Sequence, residues 1–230
     1  MIILRMLRMT KTFAFILVII LMPFLGAAQL SDLKLWTGLA LEKDLSKKIK
    51  TSVEIEQRLN NNISSFDRLL IEPAISYQIS NNWSVELIHR LWYQKTRQHN
   101  YEMHNRISLG ASYGKKLSDF KLDIGSKLQL GLPDKNEDNF YTSKNLVSRN
   151  NIRLSYAIFG SRFTPFIKYE LFTSLKRFEP KNYQWRFFAG TNFYINQDAR
   201  LRLFYALEHE FNVANPLNSS IFGISLQYSL

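Results

Sequence analysis

A chain of 230 residues that is 46% hydrophobic and 14% aromatic, with only nine Gly and six Pro, has enough apolar surface for one sizeable domain, which excludes disorder. It has no cysteine, which removes disulfides, thiolate catalysis and Cys-based metal sites together. The formal charge of +11 falls to +8 without Arg5, Arg8 and Lys11, and it is scattered rather than gathered on a stripe. Nucleic acid is therefore not an expected partner, and a phosphate-rich membrane surface is.

Residues 1–28 read as a signal peptide. Lys11 supplies the positive start, "FAFILVIILMPFL" (13–25) the apolar run, and Gly26, Ala27 and Ala28 the small residues before a cut at Gln29. Met9 would begin a signal of ordinary length. The apolar run is shorter than the roughly 20 residues of a spanning helix, so cleavage is expected rather than anchoring. With no Cys at the cut, a lipoprotein is excluded.

From Gln29 onward, period-2 alternation recurs and helical periodicity does not. Strands are predicted at 33–43, 48–59, 67–79, 83–95, 101–114, 119–131, 146–158, 163–174, 183–195, 200–212 and 219–230. The clearest is the second, where Ile49, Thr51, Val53, Ile55, Gln57 and Leu59 oppose Lys50, Ser52, Glu54, Glu56 and Arg58. These lengths exceed the usual 5 to 6 residues and suit a tilted bilayer crossing.

Short joins at 44–48, 80–82, 115–119, 159–162 and 196–199 alternate with longer ones at 60–66, 96–100, 132–145, 175–182 and 212–218. That asymmetry belongs to an outer-membrane barrel with periplasmic turns and external loops. Aromatics sort by the same ends and predict two girdles. Tyr77, Trp83, Tyr113, Phe120, Tyr156, Phe163, Tyr194 and Tyr228 lie by the turns. Phe66, Trp92, Tyr93, Tyr101, Phe172, Phe178, Tyr183, Trp185 and Phe211 lie by the loops.

A Lys or Arg on the lipid face near the midplane costs about 2–4 kcal/mol. The phase carrying Arg58, Arg68, Arg90, Arg106, Arg153, Lys168 and Arg186 must therefore face the lumen. A secreted lipocalin-like barrel, with its apolar phase inside, would need about eight strands and a solvated outer face. The expected fold is all-β: after a cleaved signal peptide (1–28), residues 29–230 form a transmembrane antiparallel up-and-down β-barrel of 10–12 strands in the outer membrane of a Gram-negative bacterium. Eleven segments is an odd count where bacterial single-chain barrels are even. Either a strand is miscounted or the first is a seam strand of unusual direction.

The last strand seals the barrel. Its outward residues Phe222, Ile224, Leu226, Tyr228 and Leu230 resemble the C-terminal signal read by the barrel assembly machinery, which commonly ends in Phe where this chain has Leu. That machinery and outer-membrane lipids are the expected partners.

The stretches "LWTGLALEKDLSKKIKTSVEIEQR" (35–58), "TPFIKYELF" (164–172) and "EFNVANP" (210–216) resemble the bacterial outer-membrane barrels of domain-of-unknown-function family 2490. The resemblance runs over essentially all of 33–230. It implies a signal-bearing barrel with no assigned activity, and it carries over no catalytic residue or cofactor.

The residues that carry chemistry are lumenal. Glu54, Glu56, Glu72, Glu86, Glu102, Glu170, Glu208 and Glu210 share a phase with Arg58, Arg68, Arg90, Arg106, Lys127, Arg149, Arg153, Lys168 and Arg186, mostly in the loop-side half. The turn-side half looks small and polar, with Ser76, Gln78, Ser108, Gly110, Ser112, Ser155, Gly190 and Asn192. Barrels of about eight strands are filled and those of about 16 hold a channel, so this one falls between. Near-balanced charges predict pairing and a closed or narrow barrel of structural role. The alternatives are a small-solute channel of weak anion preference and a lipid hydrolase using His89 or His209 with Ser219 or Ser220. No His-x-Ser pair occurs, and no enzyme is expected. His99, Glu102 and His104 lack a fourth metal ligand, so a solvated loop is expected there.

Overall fold

The computed structural model describes residues 31–95, 101–132, 146–175, 181–213 and 216–230. The proposed signal peptide, the cut at Gln29, His99 and Phe178 lie outside the described residues.

Eleven strands follow in chain order: β1 (Ser31–Asp44), β2 (Ile49–Asn60), β3 (Ser65–Gln78), β4 (Trp83–Lys95), β5 (Tyr101–Leu117), β6 (Phe120–Leu132), β7 (Leu146–Tyr156), β8 (Phe163–Ser174), β9 (Lys181–Tyr194), β10 (Ala199–Glu210) and β11 (Asn218–Ser229). Among the described residues there is no helix. Each strand pairs with its sequence neighbour, and β11 closes on β1. The ends fall within three residues of the segments read from alternation.

The odd count is real, and of the two explanations open from the sequence it is the seam strand that holds. Successive strands pair antiparallel, so the first and eleventh run in the same direction and meet at a parallel seam. At its turn end Leu230 N donates to Glu42 O at 2.8 Å.

The short turns are closed by their own side chains. Ser46 Oγ accepts from the amides of Lys48 and Ile49, Ser80 Oγ from those of Asn82 and Trp83, and Asn196 Oδ1 from those of Asp198 and Ala199. At the opposite rim, the β2–β3 connection turns through Asn61, Asn62 and Ile63, all with positive φ. Asn62 N bonds to Asp32 Oδ1 and Ile63 N to Leu33 O, which ties this connection to the start of β1.

Alternation sets the two faces of the wall. Outward stand Leu39, Val53, Ile55, Ile71, Ile75, Leu87, Ile107, Leu109, Ile152, Ile167, Leu203 and Ile224, all exposed. Inward, every strand contributes a residue no more than 9% exposed: Trp36, Arg58, Leu70, Ile88, Ser108, Gln129, Ser155, Glu170, Phe188, Ala206 and Ile221. The barrel interior is therefore packed.

Four aromatics depart from the two expected girdles, one of them Tyr183, which sits on a bulge of β9 with its ring 6.2 Å from that of Phe172. Trp92, Phe172 and Tyr194 fall on the inward phase, in register with Leu70, Arg149 and Arg200. Their nearness to a rim suggested an interface, but the pleat decides the face. Outward contacts do form at both ends: Trp83 with Tyr113, Phe120 with Tyr156 and Phe163 with Phe193 by the turns, and Tyr93 with Tyr101 and Tyr169 with Trp185 by the loops.

Candidate functional site

The lumen is where the unusual chemistry collects, and an apolar cluster forms one side of it. Trp36, Phe166, Phe188, Ala206 and Ile221 pack together from β8 round to β1, with Phe204 against them. Phe204 meets the rings of Trp36 and Phe188 at centroid distances of 6.3 and 5.5 Å. Two glycines make room for it. A Cβ on Gly223 would lie 2.0 Å from Phe204 Cζ, and one on Gly190 would lie 2.7 Å from Phe204 Cβ. This cluster was missed in the sequence, where its aromatics sit among charges on the polar phase. The signal was available as the alignment of Gly190 and Gly223 beside Phe204.

Charges ring the cluster and pair within a strand, between neighbouring strands and across an intervening strand. Glu170 accepts from Arg149 Nη2 at 2.7 and 2.9 Å and from Lys168 Nζ at 2.8 Å. Glu208 accepts from Lys34 Nζ at 2.9 Å and from Arg186 Nε. Arg58 Nε reaches Glu56 at 2.6 Å, and Arg90 reaches Glu72. Lys127 on β6 reaches Glu86 on β4 at 2.9 Å, passing over Gly110 of β5, where a Cβ would stand 2.8 Å from the Glu86 chain. Arg68 pairs with its neighbour Asp67 at 2.8 Å.

Aromatic faces hold further cations. The Arg58 guanidinium lies 3.7 Å and that of Arg186 5.3 Å from the Trp36 ring centroid, while Arg153 lies 4.1 Å from that of Phe166 and Arg106 5.6 Å from that of Trp92. Arg106 Nε and Arg153 Nε are shut off from solvent with no hydrogen-bond acceptor.

Five of the seventeen lumenal residues named from sequence stand apart from these carboxylate–cation pairs. Arg106 and Arg153 rest on rings. Glu210 accepts from Leu217 N at 3.2 Å, joining β10 to the segment before β11. Glu102 sits at the loop rim, its side chain 56% exposed, 3.9 Å from His104. Glu54 faces inward, with Gly38 opposite Glu56 on the paired strand. The turn-side half is less uniformly small and polar than the sequence suggested: Lys121, Arg200, Arg202 and Phe204 share its inward phase.

Of the pairs considered for lipid hydrolysis, His89 lies on β4, away from both serines of β11, and His209 and Ser219 fall on opposite faces. His209 faces outward between the rings of Trp185 and Phe211 and contacts Asn218, whereas Ser219 faces inward and is buried. Ser220 shares the outward phase and contacts the Tyr205 hydroxyl at 2.9 Å. Among the described residues no cluster of three metal-ligating side chains occurs.

A closed barrel with an apolar outer wall and a packed, ion-paired lumen defines a small β-barrel of the outer-membrane type. The chain belongs to the family described as protein of unknown function (DUF2490), whose family model matches residues 33–218. Among solved structures it is similar to the NanC porin in a rhombohedral crystal form, at a TM-score of 0.53 and 11% identity, covering 86% of this chain and 99% of that one. The β domain of the Bordetella autotransporter BrkA matches at a TM-score of 0.47 and 10% identity, over 76% of this chain and 81% of that one. These likenesses concern the fold. No curated protein matches the chain.

Proposed function

We propose that this protein is a closed outer-membrane barrel with a structural role in the envelope of a Gram-negative bacterium. Strands of 11–17 residues meet or exceed the roughly 9–11 needed for a tilted crossing. The exposed aliphatic wall is stable against lipid and costly against water. In this reading the short turns face the periplasm, the long connections face outside, and the barrel assembly machinery reads Phe222, Ile224, Leu226, Tyr228 and Leu230. The protein is not an enzyme, and membrane lipids are its solvent.

The observation that carries the closed reading is the packed interior, with one buried inward residue from each of the eleven strands. Water-filled pores leave their lumenal side chains hydrated. Here Glu170, Phe188, Ala206 and Ile221 are among the least accessible side chains of the described residues.

Purified protein in planar bilayers is the test. The expected result is an absence of steady openings in the range of open porins, together with no swelling of sugar-loaded proteoliposomes. Sustained openings would overturn the closed reading and place a small-solute channel first.

A further inference from the structure

Beyond the packed layers, at the turn end of the lumen, a cavity of about 250 Å³ lies between the inward faces of β5 to β10. Its lining holds four cationic side chains, Lys116, Lys121, Arg153 and Arg200, against two carboxylates, Asp119 and Asp123. Asp123 is occupied by Lys121 at 2.9 Å. Arg200 uses Nε on the neutral Gln227 Oε1 at 2.7 Å, and neighbouring Arg202 uses Nε on Asn192 Oδ1 at 3.3 Å. Arg153 is held over the Phe166 ring, with its Nε dry and without an acceptor.

We propose that this cavity is a binding site for a small phosphate-bearing solute, with Arg153 and Arg200 as its principal contacts. Elsewhere in the lumen, Glu56, Glu72, Glu86, Glu170 and Glu208 each take a cation. Here the arginines bond amides or rest on a ring face instead, and although Asp123 stands opposite Arg153 in register, neither arginine is hydrogen-bonded to a carboxylate. The planar guanidinium fork matches the oxygens of a phosphate, and charge-assisted bonds of that kind are the stronger class of hydrogen bond. Thr164, Ser155 and Tyr194 in the same lining add hydroxyls, and Asn192 adds an amide.

The volume sets the ligand's size. It falls below the 300–1,000 Å³ of sites for drug-sized molecules, leaving room for a phosphate and a substituent of a few heavy atoms. Apart from Asp119 in the turn and Phe120, the lining lies on the inward phase or continues it past a strand end, so the barrel wall separates the site from lipid headgroups, and the ligand is a free solute. With the lumen packed beyond it, the cavity is a blind pocket.

Isothermal titration of the full-length protein in detergent at 150 mM salt, with glycerol 3-phosphate, inorganic phosphate and glycerol, tests this. Saturable binding of glycerol 3-phosphate at or below millimolar Kd is expected, weaker binding of phosphate, and none of glycerol. Arg153→Gln and Arg200→Gln should each raise the Kd at least tenfold, while Arg68→Gln, paired to Asp67 at the far rim, should leave it unchanged. Should Arg153→Gln fail to fold, Arg200→Gln alone carries the comparison. Glycerol 3-phosphate heats no larger than those of glycerol, or an unchanged Kd in the arginine variants, would overturn the proposal. Because binding is read without conductance, its failure is distinct from that of the closed-barrel reading.

Discussion

Phe204 and Gly223 form a lock whose two halves sit on paired strands, in direct register. The ring occupies the space a Cβ would take, so Gly223→Ala should destabilise the barrel by about 1–3 kcal/mol, the usual cost of overpacking. Adding Phe204→Leu to Gly223→Ala should recover part of that loss, and a double-mutant cycle on the unfolding midpoint in detergent would show the two changes to be non-additive. Glu170 raises a different cost. It neutralises Arg149 and Lys168 together from a nearly inaccessible position. Removing one partner of a buried pair costs about 3–5 kcal/mol because the remaining charge stays desolvated. Glu170→Ala should therefore lower the midpoint far more than Glu102→Ala, whose rim position makes any pairing worth about 1 kcal/mol or less. Comparable losses in the two variants would contradict the geometry.

At the scale of the strand, what could be read from the sequence was the pleat. One face meets an apolar medium and the other a charged lumen, so alternation is strong in every segment and locates the strands within a few residues. The same alternation places Glu56, Arg58, Glu72, Arg90, Glu170 and Glu208 inward. It leaves their pairing open, because partners depend on register and on chords such as Lys34 to Glu208, which passes over β11. Trp36, Phe166 and Phe188 went unread for a related reason. A large apolar side chain on a polar phase contradicts the pattern unless neighbouring glycines show that the lumen has a core of its own. The last strand offers a direct test of phase. Tyr228 faces outward on the sealing strand, whereas Gln227 faces inward and is held by Arg200. Tyr228→Asp should reduce the yield of folded, heat-modifiable protein, and Gln227→Asp, which places a carboxylate beside Arg200, should not. Equal yields would mean that the faces of β11 are assigned wrongly.

For the molecule as a whole, a filled lumen ties stability to impermeability. The Glu72–Arg90 pair and its neighbours occupy the space that ions would otherwise cross. Arg90→Ala should thus lower the unfolding midpoint and raise ion conductance in the same protein, and a fall in midpoint with no change in conductance would separate the two. The parallel seam carries a further implication, for rewiring the chain. In a barrel of even count the two ends of the wall lie at one rim and a short hairpin can join them. Here Asp32 lies beside the β2–β3 connection, while Leu230 lies beside Glu42 at the opposite rim. A circular permutant with a two-residue linker should fail to fold. A linker of about a strand's length, near 12 residues at roughly 3.3 Å each, would run antiparallel to both of its neighbours. It would enter the wall as a twelfth strand, and the permutant should fold with the parity that the natural chain lacks.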